Sequence, residues 1–275
     1  MKVVAHISDA HFGTEDPEVA AALADELAGR GDGPTPSLVV VSGDLTQRAK
    51  EEQFRAARTF LDALPGPYLV VPGNHDMPLY DLWSRLHHPL RRYKELITDE
   101  LMPLHVDDEL AVVGLDTTHS RAVKDGKVTA AQARAAAALL AAQGDRFRMV
   151  VAHHPFVLPR GVPATQRIDG ADEATPILRD AGVAVICTGH LHVAYASDTA
   201  GFRDETREMI AVHAGTCIST RRRGESNGYN RLVLDGDVLT IHHRVWADHR
   251  FTEGAHKVYR RQDGYWFHAP ESAAA

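Results

Sequence analysis

The chain has 275 residues, 44% of them hydrophobic, enough for one large domain with a sizeable core. A formal charge of -7 with no broad basic stripe argues against duplex nucleic acid as the main partner, but it leaves a phosphate ester open, because metal ions supply positive charge locally. Apolar runs fall far short of a membrane span, Met1 leads straight into a strand-like segment, and Cys187 and Cys217 are too few for a disulfide framework, so a cytoplasmic protein without a membrane span is expected.

Strands and helices alternate through the first two thirds. The runs KVVAHI (2–7), SLVVVS (37–42), YLVVP (68–72), LAVVGL (110–115), RMVVA (148–152) and VAVICT (183–188) are nearly continuous in Val and Ile, the pattern of sheets covered on both faces. Between them, Asp16-Pro17 marks a helix start, with the helix fading at Gly29–Gly31. A second helix is expected over Lys50–Leu64, where Phe54, Ala57, Phe60, Leu61 and Leu64 recur at helical spacing. Residues 77–102 interrupt the alternation and predict a helical insertion or cap. Its apolar residues (Leu79, Leu82, Trp83, Leu86, Leu90) are expected chiefly to pack the cap helix. Thr129 and Gln132 form a capping box before an alanine-rich helix that stops by Gly144, and a shorter helix over Asp172–Ala181 closes at Gly182. After residue 209 the segments MIAVHA, YNRLVLD, VLTIHHRVW, HKVYRR and YWFHA predict antiparallel strands, with hairpin turns at 235–237 and 263–265. The expected organisation is a single domain over 1–270 with the 77–102 cap, followed by a frayed tail, 271–275.

The strand ends carry the chemistry. SDAH presents Asp9 and His11, GDLT presents Asp44, GNHD presents Asn74, His75 and Asp76, AHHP presents His153 and His154, and GHLH presents His190 and His192. Singly, each reads most simply as a turn or a satisfied loop histidine. Jointly, five clusters of carboxylate, amide and imidazole at the carboxyl ends of strands converge on one crevice. The inventory suits two divalent cations that clamp a displacement at phosphorus, with one carboxylate shared between them. Asp44 stands alone in its cluster, as a bridge would. Imidazole with oxygen donors, and no thiolate, suits Mn or Fe, with Zn also compatible.

The order Asp-x-His, Gly-Asp, Gly-Asn-His-Asp, His-Pro and Gly-His-x-His resembles the calcineurin-like metallophosphoesterase superfamily. The versions GDLT, PGNHD, AHHP and GHLH look like its class III cyclic nucleotide phosphodiesterase branch. The resemblance implies an α/β fold, a four-layer α/β/β/α sandwich with two mixed sheets. It implies one ion on Asp9, His11, Asp44 and His192, and a second on Asp44, Asn74, His153 and His190. His75 is then the histidine, not a ligand, that meets the phosphate with Asn74 and protonates the leaving oxygen, and His154 has no ligand role. In many relatives an aspartate orients that histidine; the sequence does not place such a partner here.

The expected function is therefore hydrolysis of a phosphodiester, a cyclic nucleotide or other small diester, by in-line attack of a metal-bridging hydroxide. The alternatives are a nucleotide-sugar or lipid-linked pyrophosphatase, a nuclease of the same superfamily, or a non-catalytic scaffold on the same fold. The expected partner is a small phosphate-ester substrate with no stable nucleic acid. The oligomeric state is open, homo-oligomers included. STRRRGE (219–225) reads as a surface turn, or as a loop from which one of Arg221, Arg222 and Arg223 reaches a substrate anion.

Overall fold

Among the described residues, thirteen strands in two sheets account for the apolar runs. The computed structural model describes residues 1–159, 161–198 and 209–269, with side chains undescribed for 197 and 198; the expected tail, 271–275, lies outside the described residues. The first sheet has the order β13-β12-β11-β10-β1-β2-β3. It is built from β1 (Lys2–Ile7), β2 (Leu38–Val41), β3 (Tyr68–Val70), β10 (Gly228–Asp235), β11 (Val238–Ala247), β12 (Arg250–Gln262) and β13 (Tyr265–Ala269). β1, β2 and β3 run parallel, and β10 reverses against β1. The second sheet has the order β4-β5-β6-β7-β9-β8, from β4 (Leu104–Val106), β5 (Leu110–Leu115), β6 (Phe147–Ala152), β7 (Val183–Thr188), β8 (Tyr195–Asp198) and β9 (Ile210–His213). Both sheets are mixed.

Three buried clusters separate four layers. Val4, Val40, Val71, Val112, Val151, Val185 and Val212 lie in the slab between the sheets. Outside the first sheet, Ile7, Val39 and Val41 pack on α1 (Pro17–Asp25) and α2 (Glu51–Asp62) through Val19, Leu23, Phe54 and Leu61. Outside the second, Val113, Val150 and Ile186 pack on α5 (Ala130–Ala141) and α6 (Ala171–Asp180) through Ala133, Leu140 and Leu178. Alternate residues of one strand thus face different layers, which is why β1, β2, β3, β5, β6 and β7 are apolar at most positions. The helix starts follow local chemistry. Asp16 accepts from the backbone N–H of Glu18 and Val19, and Thr129 and Gln132 close a capping box.

The structure departs from the sequence reading in three places. Ile210–His213 does not join the antiparallel meander; it pairs parallel with β7, in the other sheet. HKVYRR is the second half of one long strand, β12, that begins at Arg250. The intended cap packing holds only in its second half. In α4 (Arg91–Leu96), Tyr93 is fully buried with Leu90 and Ile97 beside it, against Phe54 of α2. In and before α3 (Leu82–His87), Tyr80, Leu82, Trp83 and Leu86 are exposed by 79%, 65%, 65% and 55%, so they do not pack inward. No helix among the described residues is long and apolar enough to cross a membrane, and both cysteines are free and buried.

Candidate metal centre

β1, β2, β3, β6 and β7 all end at one edge of the molecule, and the five clusters meet there. Asp9, His11, Asp44, Asn74, His153 and His192 are each buried, in a protein whose ionisable residues are otherwise mostly at the surface. The backbone bends sharply to aim them. Asp9, His11, Asp44, His190 and His192 all adopt left-handed φ, between 47° and 71°. Such a conformation costs a residue with a β-carbon about 1 kcal/mol or more and persists where the surroundings hold it. Glycines make room: a β-carbon at Gly73 would lie 2.2 Å from Asp44 Oδ1, and one at Gly189 would lie 1.9 Å from Ser8 Oγ.

Two groups of donors result. In the first, His192 Nε2 lies 3.1 Å and His11 Nε2 3.6 Å from Asp9 Oδ1, the two imidazole nitrogens are 3.2 Å apart, and Asp44 Oδ2 is 3.8 Å from His11 Nε2. In the second, Asn74 Oδ1 lies 3.2 Å from His153 Nε2 and 3.1 Å from His190 Nδ1, and Asp44 Oδ2 is 3.3 Å from His153 Nε2. One oxygen of Asp44 therefore faces both groups. Its other oxygen accepts the backbone N–H of His75 at 2.8 Å.

Outer contacts leave these atoms free to donate lone pairs. His153 gives its Nδ1–H to Ser42 O, 2.8 Å away, and His192 gives its Nδ1–H to Arg221 O, 2.9 Å away. Asn74 donates its amide N–H to Val123 O. Each therefore turns a bare nitrogen or oxygen inward, as second-shell contacts do at metal sites. Asp9 Oδ1, fully buried, makes no well-aligned hydrogen bond although the Nε2 atoms of His192 and His11 face it, an arrangement that a shared cation would satisfy; the residues fit divalent ions. His154 adjoins His153 and His190 closely enough to count among potential donors. However, its Nδ1 is engaged by Thr117 Oγ1 and its Nε2 by Lys124 O, so neither nitrogen is free.

The electrostatics follow from this crowding. Burial pushes the Asp9 and Asp44 carboxyls up, but the surrounding imidazoles outweigh it and hold both well below the usual carboxylate range. Burial likewise opposes protonation of His153, yet Asp44 raises its pKa to about 9. Burial, then His153, lowers His190 to about 3. In the ion-free chain, protons on His153 and His192 offset the two carboxylates; a cation held by these residues would displace them, so its binding would release protons.

His75 stands at the rim, its ring 4.8 Å from that of His11. Its Nδ1–H donates to Gln47 O at 2.9 Å, so a backbone carbonyl, not an aspartate, orients it. Asp76 does something else. It accepts from the N–H of Gly73, Leu45 and Thr46 and from Thr46 Oγ1, fastening the GNHD loop to the GDLT loop. Sequence reasoning missed Gln47 and left open which arginine of the 219–225 loop turns inward. Arg221 Nη1 lies 3.1 Å from Gln47 Oε1 and 3.3 Å from His75 Nε2, while Arg222 and Arg223 are exposed. Beside His75 opens a cavity of about 80 Å³, lined also by Arg48, Leu79, Val123 and Lys124.

A four-layer sandwich whose strand ends bring together two carboxylates, an amide and a set of imidazoles defines the architecture of a metal-dependent phosphoesterase. The calcineurin-like phosphoesterase family model matches residues 2–194, and the chain belongs to that family. The glycerophosphodiester phosphodiesterase GpdQ of Enterobacter lignolyticus is 38% identical over 82 residues; the match spans 27% of this chain and only 29% of that relative's length. A probable cyclic nucleotide phosphodiesterase of a Synechococcus species is 24% identical over 213 residues, 70% of this chain and 74% of that protein. A dimetal phosphatase from Danio rerio superposes with a TM-score of 0.64 at 13% identity, covering 92% of this chain and 98% of that one, and shares the fold.

Proposed function

We propose that the chain is a metal-dependent phosphoric ester hydrolase that cleaves a small phosphodiester, with two divalent ions, Mn or Fe foremost and Zn compatible. Asp9, His11, Asp44 and His192 would hold one ion, and Asp44, Asn74, His153 and His190 the other. The observation that carries this reading is Asp44, whose single oxygen Oδ2 faces both donor groups. When bound, such a pair supplies a water acidified toward neutral pH and neutralises charge on the phosphoryl oxygens. The chain's own residues do the rest. Asn74 and His75, adjacent on one loop, put a donor atom on the ion and an imidazole at the reacting phosphate. His75, fixed through Nδ1, presents Nε2 to the leaving oxygen, and as the imidazolium, protonated on both nitrogens, it delivers the Nε2 proton there as general acid. The names of the two sequence relatives, one for glycerophosphodiesters and one for cyclic nucleotides, support a small diester over a monoester.

The test is hydrolysis of bis(p-nitrophenyl) phosphate by protein reloaded with Mn, together with a panel of cyclic nucleotides, glycerophosphodiesters, lipid-linked pyrophosphates and single-stranded DNA. Turnover that chelator abolishes, and an Asp44→Ala variant that binds neither ion and loses at least a thousandfold in rate, are expected. Two equivalents of metal retained by that variant would overturn the shared-carboxylate assignment. The exposed apolar surface of Tyr80, Leu82, Trp83 and Leu86, in the segment that follows Leu79 of the cavity wall, specifically favours the lipid-linked pyrophosphate as second reading, and a preference for it in the panel would move the substrate class there. Full metal loading with no hydrolysis of any ester would mark a scaffold.

A further inference from the structure

We infer that Arg221 is a substrate-binding residue: its guanidinium grips a non-bridging oxygen of the phosphate and, in the resting protein, stands in the place that phosphate takes. The inference rests on the phosphoesterase reading of the site. Three observations carry it. First, the residue is fixed at both ends of its backbone: its N–H donates to Ser219 Oγ at 3.1 Å, and its carbonyl accepts His192 Nδ1–H at 2.9 Å. The loop is thus fastened to a member of the first donor group. Second, the side chain turns inward while Arg222 and Arg223 face solvent, and its Nη1 reaches Gln47 Oε1 and His75 Nε2. Third, no described carboxylate forms an ion pair with Arg221, although acids outnumber bases in this chain. A guanidinium held at a crevice without an anion of its own, and donating to the very nitrogen that the leaving oxygen must meet, is placed for an anionic ligand. Phosphate is the better acceptor: it is itself an anion, where Gln47 and His75 offer only neutral acceptors, and the planar fork matches a phosphoryl group. When the phosphate arrives and takes the guanidinium, Nε2 of His75 is freed to take a proton from solvent and to face the ester oxygen. Arg221 thereby ties substrate capture to exposure of His75.

The test uses the full chain loaded with metal, as Arg221→Ala, Arg221→Lys and, for comparison, Arg222→Ala. Binding of inorganic phosphate is followed by calorimetry, and kcat/KM is followed on bis(p-nitrophenyl) phosphate. Loss of one charged hydrogen bond predicts phosphate binding weaker by roughly 10- to 100-fold in Arg221→Ala, with a similar loss in kcat/KM. Metal content and melting temperature should stay at wild-type values, because the carbonyl that holds His192 remains. Arg221→Lys should recover part of the loss, and Arg222→Ala should stay within twofold of wild type. Phosphate affinity within twofold of wild type in Arg221→Ala overturns the inference, and so does a loss of metal that parallels the loss of activity, since the residue would then act only by holding His192. If the wild type hydrolyses no ester, the phosphoesterase reading fails by itself, and the phosphate titration still decides for or against Arg221.

Discussion

His75 shows how much one side chain's position depends on atoms that are distant in sequence. Its backbone N–H is tied to Asp44 Oδ1, its Nδ1 to Gln47 O, and its Nε2 to Arg221, so all three anchors lie outside its own loop. Burial lowers its pKa, with Asp44 pulling the other way and His11 and Arg221 adding to the lowering. Its contact with the shared carboxylate of Asp44 runs through the backbone N–H, which the substitution keeps, so His75→Ala should keep both ions. Loss of a general acid typically costs about 10²–10⁴-fold, but only where the leaving group needs the proton. Alkyl or ribose esters should therefore lose that much in kcat, and nitrophenyl esters, whose leaving group departs unprotonated, far less. Equal losses on the two ester types would make His75 a positioning group instead.

At the scale of elements, the site is a matter of loops pinned to one another. Asp76 is the main pin: three backbone N–H groups, from Gly73, Leu45 and Thr46, converge on its buried carboxylate. Asp76→Ala would strand these donors at about 1–3 kcal/mol each, so the variant should unfold at clearly lower urea, by at least about 3 kcal/mol, and bind metal more weakly. A stability change below about 0.5 kcal/mol would show that water replaces the carboxylate. The strands that end at these loops were legible because each is covered on both faces and so is apolar at most positions; the clusters were legible because polar residues abruptly follow such runs. Other elements left no such trace. β4 and β8 are short, and nothing in the buried run Ile210–His213 of β9 tells that it lies parallel to β7. The turn from β11 to β12 is Asp248-His249, both at positive φ without a glycine, so no turn signal separates the two strands. Exposed Trp83 and Leu86 look the same in sequence as core residues. The contact of Arg221 with Gln47 spans 174 positions, and no local pattern announces it.

For the molecule as a whole, polar residues deep in the sandwich set a pH limit. His6 on β1 and His213 on β9 are fully buried. His6 Nε2 meets Ser42 Oγ at 2.9 Å, and His213 Nδ1 meets Thr188 Oγ1 at 2.7 Å, while His6 Nδ1 and His213 Nε2 have no partner. Neither histidine has a carboxylate in hydrogen-bond contact to hold a positive charge. Burial lowers the pKa of His6 to about 3 and that of His213 to about 4. An unfolded chain takes up protons at these residues near pH 6.5, well before the folded one does. The unfolded state therefore binds more protons between pH 6.5 and about 4, so stability is complete above that window and falls as the pH drops through it. Each histidine contributes a slope of up to about 1.4 kcal/mol per pH unit. The titration of His153 runs in the opposite sense, and bound metal would silence it by taking its nitrogen. The measurement is therefore urea unfolding of metal-loaded protein at pH 7, 6 and 5, in wild type and in His213→Gln. The variant starts less stable, because it disturbs a packed position, but its stability should fall less steeply with acid, by about 1 kcal/mol per pH unit between pH 6 and 5. Parallel pH curves for the two proteins would show that His213 is protonated in the folded state, and that the slab below the metal centre admits charge.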